Sequence, residues 1–244
     1  MLILPRELTT FWGIRPRRII HVGAHTAEDL ELYATSQWGR DSTVWVEALP
    51  EQIPVLEERV KPFSNHRVVQ AVAWELSGEE VEFTVASNIA SSSALEFADH
   101  STVYPDIAAV DRVILTTTAL GDLDIWTDRR ETFLNLDIQG AEISALKGMQ
   151  KHLDYCVAIY CEVNTRELYR GVPFLSDVDK FMAQVGFRRV DWRIYRKFGW
   201  GDALYLPSER FRATSLVRRS LRKLIATRRH RTVQRVWRKA QSVF

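Results

Sequence analysis

Short apolar runs alternate along the chain with stretches in which apolar residues recur at helical spacing. Arg18 to Val22 is an apolar run that stops at Gly23. Behind it, Glu28 and Asp29 precede Leu30, Tyr33 and Ala34, which predicts a helix capped by Thr26 and ending near Gly39. Acidic side chains suit the positive end of such a helix. Thr43 to Val46 reads as a buried strand ending at Glu47, Glu51 to Lys61 as a helix, and Val68 to Val72 as a third strand. Val81 to Val85 alternates as a half-buried strand does. Ser87 to Pro105 is serine-rich and irregular, and Arg112 to Thr118 is strand-like. Phe133 to Asp137 is again a strand, followed by a helix with Ile143, Leu146 and Met149 on one face. Val157 to Glu162 is the next strand, and Asp177 to Val185 a helix closed by Gly186. Phe187 to Ile194 and Ala203 to Leu206 close the pattern as a pair joined across Gly199 and Gly201, which predicts an antiparallel hairpin. Strands alternating with helices give an α/β, Rossmann-like fold, with a mainly parallel sheet and helices on both faces.

Composition adds little until charge is mapped onto position. The chain has 244 residues, 46% of them hydrophobic, with a net charge of +2. Twelve of its 33 Lys/Arg and none of its 31 Asp/Glu lie in residues 210–244, so that segment carries +12 and residues 1–209 carry −10. The division predicts one acidic domain over 1–209 and a basic amphipathic helical tail over 210–244 with its own partner. No apolar run approaches the roughly 20 residues that cross a bilayer, and the first residues do not read as a signal peptide. Cys156 and Cys161 flank a strand, five positions apart, which points them to opposite faces and makes a disulfide between them implausible. These features suit a cytoplasmic protein.

In parallel α/β sheets, ligands bind beyond the carboxyl ends of the strands. Four chemistry-bearing positions fall there: Gly23, Glu47, Asp137 and Glu162. Gly23 permits a sharp turn and the close approach of a ligand to the backbone. Glu47, ending the next strand, is placed to accept hydrogen bonds from a ribose diol. A dinucleotide needs further glycines after the first to admit its pyrophosphate, but Ala24, His25, Thr26 and Ala27 follow Gly23. S-adenosylmethionine (SAM) has no pyrophosphate, so the pair favours SAM over NAD. Asp137, in the run Asp137-Ile138-Gln139-Gly140-Ala141-Glu142, faces the same cleft, and Glu142 falls in the first turn of the following helix.

Taken together, these pieces resemble the FkbM-type methyltransferase family from about Ile19 to Leu206. The segments that carry the likeness are IIHVGAHTAEDLELY, VWVEALPE, SSSALEF, FLNLDIQGAEISALKGM, IYCEVNTRELYRGVP and GWGDALYLP. Many family members have Asp in place of His21 and Gly in place of Ala27. The resemblance implies a Rossmann-like methyltransferase that O-methylates a sugar, glycan or natural product. It implies that Gly23, Ala24 and His25 hold the methionyl part of SAM, that Glu47 holds the ribose, that Ala71 and Val72 lie by the adenine, and that Asp137 lies near the sulfonium. It also places Ser91 to Ser93, His100 and Tyr104 in a variable cleft segment, where they could contact substrate or form an ordinary polar loop.

Methyl transfer to a hydroxyl is helped by a general base. Asp137 is the first candidate, Glu162 the second, and His25 and His100 follow. Asp137, Glu162 and Asn164 could instead hold Mg²⁺ with waters, a reading the sequence does not favour over a metal-free site. Trp200, between two glycines, is a candidate cleft wall. In the tail, Val217, Leu221, Leu224 and Ile225, then Val233, Val236, Trp237 and Ala240, are spaced for helices lined by basic residues, which suits an anionic membrane surface and equally a helix packed on the acidic body of this chain or a neighbouring subunit, or a solvated tail. Nucleic acid is the less favoured partner. RNA methylation and a degenerate SAM-fold binding module are the alternatives, and the intact set of Gly23, Glu47 and Asp137 argues against degeneracy.

Overall fold

The computed structural model describes residues 1–126 and 131–209. In chain order the elements are α1 (Pro5–Trp12), β1 (Arg18–Val22), α2 (Leu30–Ser36), β2 (Ser42–Glu47), α3 (Ile53–Val60), β3 (His66–Gln70), β4 (Val72–Trp74) and β5 (Glu80–Ala86). They continue as α4 (His100–Val103), β6 (Ala109–Ala119), β7 (Thr132–Leu136), α5 (Glu142–Gly148), β8 (Cys156–Asn164), α6 (Leu175–Gln184), β9 (Phe187–Tyr195) and β10 (Trp200–Pro207). A seven-stranded sheet runs in the order β3-β2-β1-β7-β8-β10-β9. Its first five strands are parallel, and β10 is antiparallel to both β8 and β9. The α/β, Rossmann-like expectation and the closing hairpin both hold.

The central strands are buried on both faces, as helices on each side require. Alternate residues supply two cores. Ile20, Val44 and Leu134 pack with Ala145 and Leu146 of α5 and with Val178 and Met182 of α6. Ile19, Trp45 and Phe133 pack on the opposite face with Leu8 and Trp12 of α1, Tyr33 of α2 and Leu56 of α3.

Several local expectations are corrected. Val68 to Val72 is not one strand: β3 stops at Gln70, the Ala71 N–H turns to the Glu47 carbonyl at 2.9 Å, and β4 joins a separate sheet of order β4-β6-β5. The helix after Gly23 begins only at Leu30, because His25 and Ala27 sit at φ +45° and +55°, outside helical geometry. Thr26 therefore caps nothing, and its hydroxyl meets Glu28 at 3.1 Å. Helix α1, with Pro5 in its first turn and Leu8 and Trp12 on its buried face, has no counterpart in the sequence reading. Cys156 and Cys161 are free and buried in the same core. The β7–β8 register shifts between Thr132 and Phe133, so the added residue Val157 undoes the alternation that five positions would give. No helix among the described residues is long and apolar enough to cross a membrane. The tail, residues 210–244, lies outside the described residues.

Register places the site. Val22 pairs with Val46 and with Leu136, and Leu136 with Cys161. The next residues, Glu47, Gly23, Asp137 and Glu162, therefore stand side by side across four adjacent strands. Asp202 of β10 pairs directly with Glu162 and extends the row.

Candidate active site

The turn after β1 is pinned on both sides. The N–H groups of Gly23 and Ala24 donate to the Val46 carbonyl at 2.9 and 3.0 Å, and the Asp137 N–H donates to the Val22 carbonyl at 2.9 Å. Gly23 has φ +83°, and a Cβ there would lie 1.8 Å from the Asp137 carbonyl oxygen. What approaches this glycine most closely is the backbone after β7, a contact the sequence reading had assigned to a ligand. The next residue but one, His25, holds its left-handed φ because its N–H donates to Glu47 Oε2 at 2.8 Å.

Glu47 is buried, and its other oxygen accepts from the N–H groups of Ala48 and Leu49 at 2.8 and 3.0 Å. A carboxylate offers about four acceptor positions. Three are filled by backbone, so one position on Oε2 remains for a ligand hydroxyl, fewer than the two expected for a diol.

These residues border a cleft of about 580 Å³ that is open to solvent. Gly23, His25, Glu47, Ala71, Val72 and Asp137 all line it. Ala24 is buried and Glu162 stands off the cleft lining, one strand beyond Asp137. Sequence reasoning missed the apolar wall formed by Leu49, Phe83 and Ile89. The alternation in β5 was the available signal, since it places Phe83 on the buried side.

At the far end of the cleft is a nest of acids. Burial, and then the charge of Asp202, raises the Asp137 carboxyl to about 6. Burial, then Asp137 and Glu142, holds Glu162 well above the usual carboxylate range. Gln139, with φ +53°, reaches between the two carboxyls: its Nε2 donates to Asp137 Oδ1 at 2.8 Å and to Glu162 Oε2 at 3.0 Å. An amide NH₂ thus stands where a shared cation would have to be, and this donor set does not fit the Mg²⁺ alternative. The Asn164 amide is fully buried without a hydrogen-bond partner among the described residues. Glu142 is buried behind the turn, accepts from the N–H groups of Ile138 and Gly140 at 3.2 and 3.1 Å, and is pushed by burial up to about 7.

The histidines divide by burial. His25 is raised by its hydrogen bond to Glu28, with Glu47 and Asp137 adding to the effect. His21 is enclosed by Tyr33, Trp45 and Asn135, and burial lowers it to about 4. His100 is buried and stacked on Phe97 with centroids 4.1 Å apart. Burial lowers it, and its ring also packs against Tyr104 and Tyr169.

The serine run braces the site. Ser93 Oγ donates to the Gln139 carbonyl at 2.9 Å, and Ser92 Oγ accepts from the Ala86 N–H at 3.0 Å. Of these serines, Ser92 borders the cleft. Trp200 Nε1 donates to the Tyr104 hydroxyl at 2.6 Å, and the two half-buried rings form a wall near Glu162, whose charge is felt at Tyr104.

The chain matches the methyltransferase FkbM domain over residues 21–189. No protein of curated function matches it. Among solved structures it resembles a methyltransferase FkbM from Methylobacillus flagellatus, with TM-score 0.49 and 16% identity, over 79% of this chain and 43% of that one. A SAM-dependent methyltransferase from Aquifex aeolicus gives TM-score 0.45 and 10% identity, over 84% of this chain and 90% of that one. A magnesium protoporphyrin IX methyltransferase from Synechocystis gives TM-score 0.44 and 9% identity, over 78% and 69% respectively. The chain thus spans less than half the length of the Methylobacillus protein.

Proposed function

We propose that this chain, which belongs to the FkbM methyltransferase family, transfers the methyl group of SAM to a hydroxyl oxygen of a sugar, glycan or natural product. The observation that carries the reading is the convergence of Gly23, Glu47 and Asp137, from three neighbouring strand ends, on one cleft with an apolar wall.

SAM supplies a methyl group on a sulfonium leaving group, so the protein mainly has to align donor and acceptor. In this reading the turn of Gly23, Ala24 and His25 holds the methionyl part. His25, raised by Glu28, is suited to a carboxylate when protonated. Glu47 Oε2 takes one ribose hydroxyl, and Ala71, Val72 and Phe83 face the adenine. Asp137 and Glu162 lie at the reacting end. Asp137 accepts the acceptor's hydroxyl proton, with Glu162 its partner in holding it, and Tyr104 and Trp200 border the side from which the acceptor enters. The basic tail attaches the enzyme to an anionic membrane surface, where its acceptor is a lipid-linked glycan.

The test is intact-mass screening of hydroxylated acceptors, including lipid-linked glycans, with the full chain and SAM. A gain of one methylene on an acceptor oxygen supports the proposal. Methylation confined to nitrogen or to RNA contradicts it.

A further inference from the structure

The Asp137 and Glu162 carboxyls meet on one nitrogen, Gln139 Nε2, at 2.8 and 3.0 Å, and two carboxyls held that close favour a single shared proton over two negative charges. Gln139 then fixes how that proton is held. Its Nε2 has two hydrogens, and each goes to one carboxyl, at 2.8 and 3.0 Å. The reverse orientation of the amide would set its oxygen against two acidic groups. Tyr169, 30 residues away and 1% exposed, supports that orientation: its hydroxyl stands 2.7 Å from Gln139 Oε1, a shorter contact than its other acceptor, the Ser91 carbonyl at 3.1 Å. Ser93 Oγ holds the Gln139 carbonyl as well. The amide is therefore fixed at both ends, and its left-handed backbone is held by the same contacts.

The groups facing this pair are the acids Asp202, Glu142 and Asp29, the phenols of Tyr33, Tyr104 and Tyr169, and, as basic groups, His25 and the Met1 amino group. The surroundings are predominantly acidic, so a second negative charge on the pair is disfavoured until a further cation arrives.

We propose that Gln139, locked by Tyr169, is the positioning residue that keeps Asp137 and Glu162 as a proton-sharing pair, and that the pair releases its proton to solvent when a sulfonium enters the cleft but keeps it when the neutral thioether product is bound. The inference rests on the SAM reading of the cleft. Nothing is oxidised or reduced: one carboxylic acid becomes a carboxylate and a buffer molecule gains the proton. The consequence is ordered use of the base. The pair becomes fully ionised, and so able to take a hydroxyl proton, only while the methyl donor is present.

The test is calorimetry of the full chain with SAM and with S-adenosylhomocysteine near neutral pH, in buffers of different ionisation enthalpy, which counts protons released on binding. SAM should release more than its product, by up to about one proton per site. Asp137→Asn should abolish the difference. Tyr169→Phe and Gln139→Leu should reduce it or shift it along the pH axis, and Tyr169→Phe should retain product affinity. A loss of product binding in Gln139→Leu would mark damage to the cleft, and Tyr169→Phe then decides the matter. Equal proton release by the two ligands overturns the inference while leaving the SAM site standing. An unchanged difference in Tyr169→Phe and Gln139→Leu overturns the positioning role. Failure of both ligands to bind overturns the underlying SAM reading too.

Discussion

Gly23 and Asp137 belong to loops 114 positions apart in sequence, yet a methyl group on Gly23 would overlap the Asp137 carbonyl oxygen at 1.8 Å. The turn after β1 and the acidic end of β7 therefore pack backbone against backbone. Gly78 provides a control, since it has a similar φ of +87° and nothing within 4 Å of an added Cβ. Gly78→Ala should cost about 1–2 kcal/mol, the strain of a left-handed alanine. Gly23→Ala should cost at least ~2 kcal/mol more, because the backbone it meets has to shift. Denaturant unfolding of both variants checks this, and equal losses would contradict the contact.

Glu142 ties stability to pH. Burial raises its carboxyl from 4.5 to about 7 in the folded protein. A carboxyl raised in this way stays protonated longer in the folded state than in the unfolded one, so its contribution is intact below the unfolded value and lost as pH rises through the folded value. The loss should be on the order of 2–3 kcal/mol between about pH 4.5 and 7. Asp137 and Glu162 act in the same direction, so the reading is the difference from Glu142→Gln, which keeps an acceptor for Ile138 and Gly140. The variant should be the more stable protein at pH 8, with no such advantage at pH 4.5. Parallel stability curves would contradict the buried carboxyl.

Asp137→Asn keeps the shape of the strand end and removes the base. It should leave the fold intact and lower turnover on the identified acceptor by at least about 100-fold, the scale of general-base help. Activity should survive thorough EDTA treatment, as the amide between the carboxyls implies. Wild-type turnover in the variant, or a loss to EDTA restored by Mg²⁺, would contradict this account of the site.

Much of this site was legible because apolar runs stop at it. Val22, Val46, Leu136 and Cys161 each end or nearly end a buried stretch, and the residue after each is the one that carries chemistry. What the sequence could not show is that the four are level, which depends on pairing register. Asp202 was missed because it lies inside an apolar strand, and its place beside Glu162 comes from antiparallel pairing alone. The Gln139–Tyr169 bond joins two loops whose meeting no local pattern encodes. Thr26 failed as a cap for a related reason: long-range bonds to Glu47 hold the turn out of helical geometry. Helix α1 is only eight residues long, and its burial against α2 gives it a stability that its own sequence does not advertise.

The tail joins basic charge to helically spaced apolar residues. Each Lys/Arg near an anionic bilayer contributes ~1 kcal/mol, and residues 210–244 carry twelve. The full chain should sediment with anionic liposomes, release as salt rises, and lose that behaviour when the chain ends at Glu209. If both forms stay in solution at low salt, membrane attachment is contradicted, and an RNA gel shift becomes the informative comparison.

The central claim is that the cleft beyond β1, β2 and β7 is a SAM site with Glu47 at the ribose. Isothermal calorimetry of SAM with the wild-type chain and with Glu47→Ala tests it most directly. The wild-type chain should bind both SAM and its demethylated product. The variant should bind them more weakly by ~1.5–3 kcal/mol, the loss of a charged hydrogen bond. Unchanged affinity in Glu47→Ala would remove Glu47 from the site, and tight NADH binding without SAM binding would contradict the account as a whole.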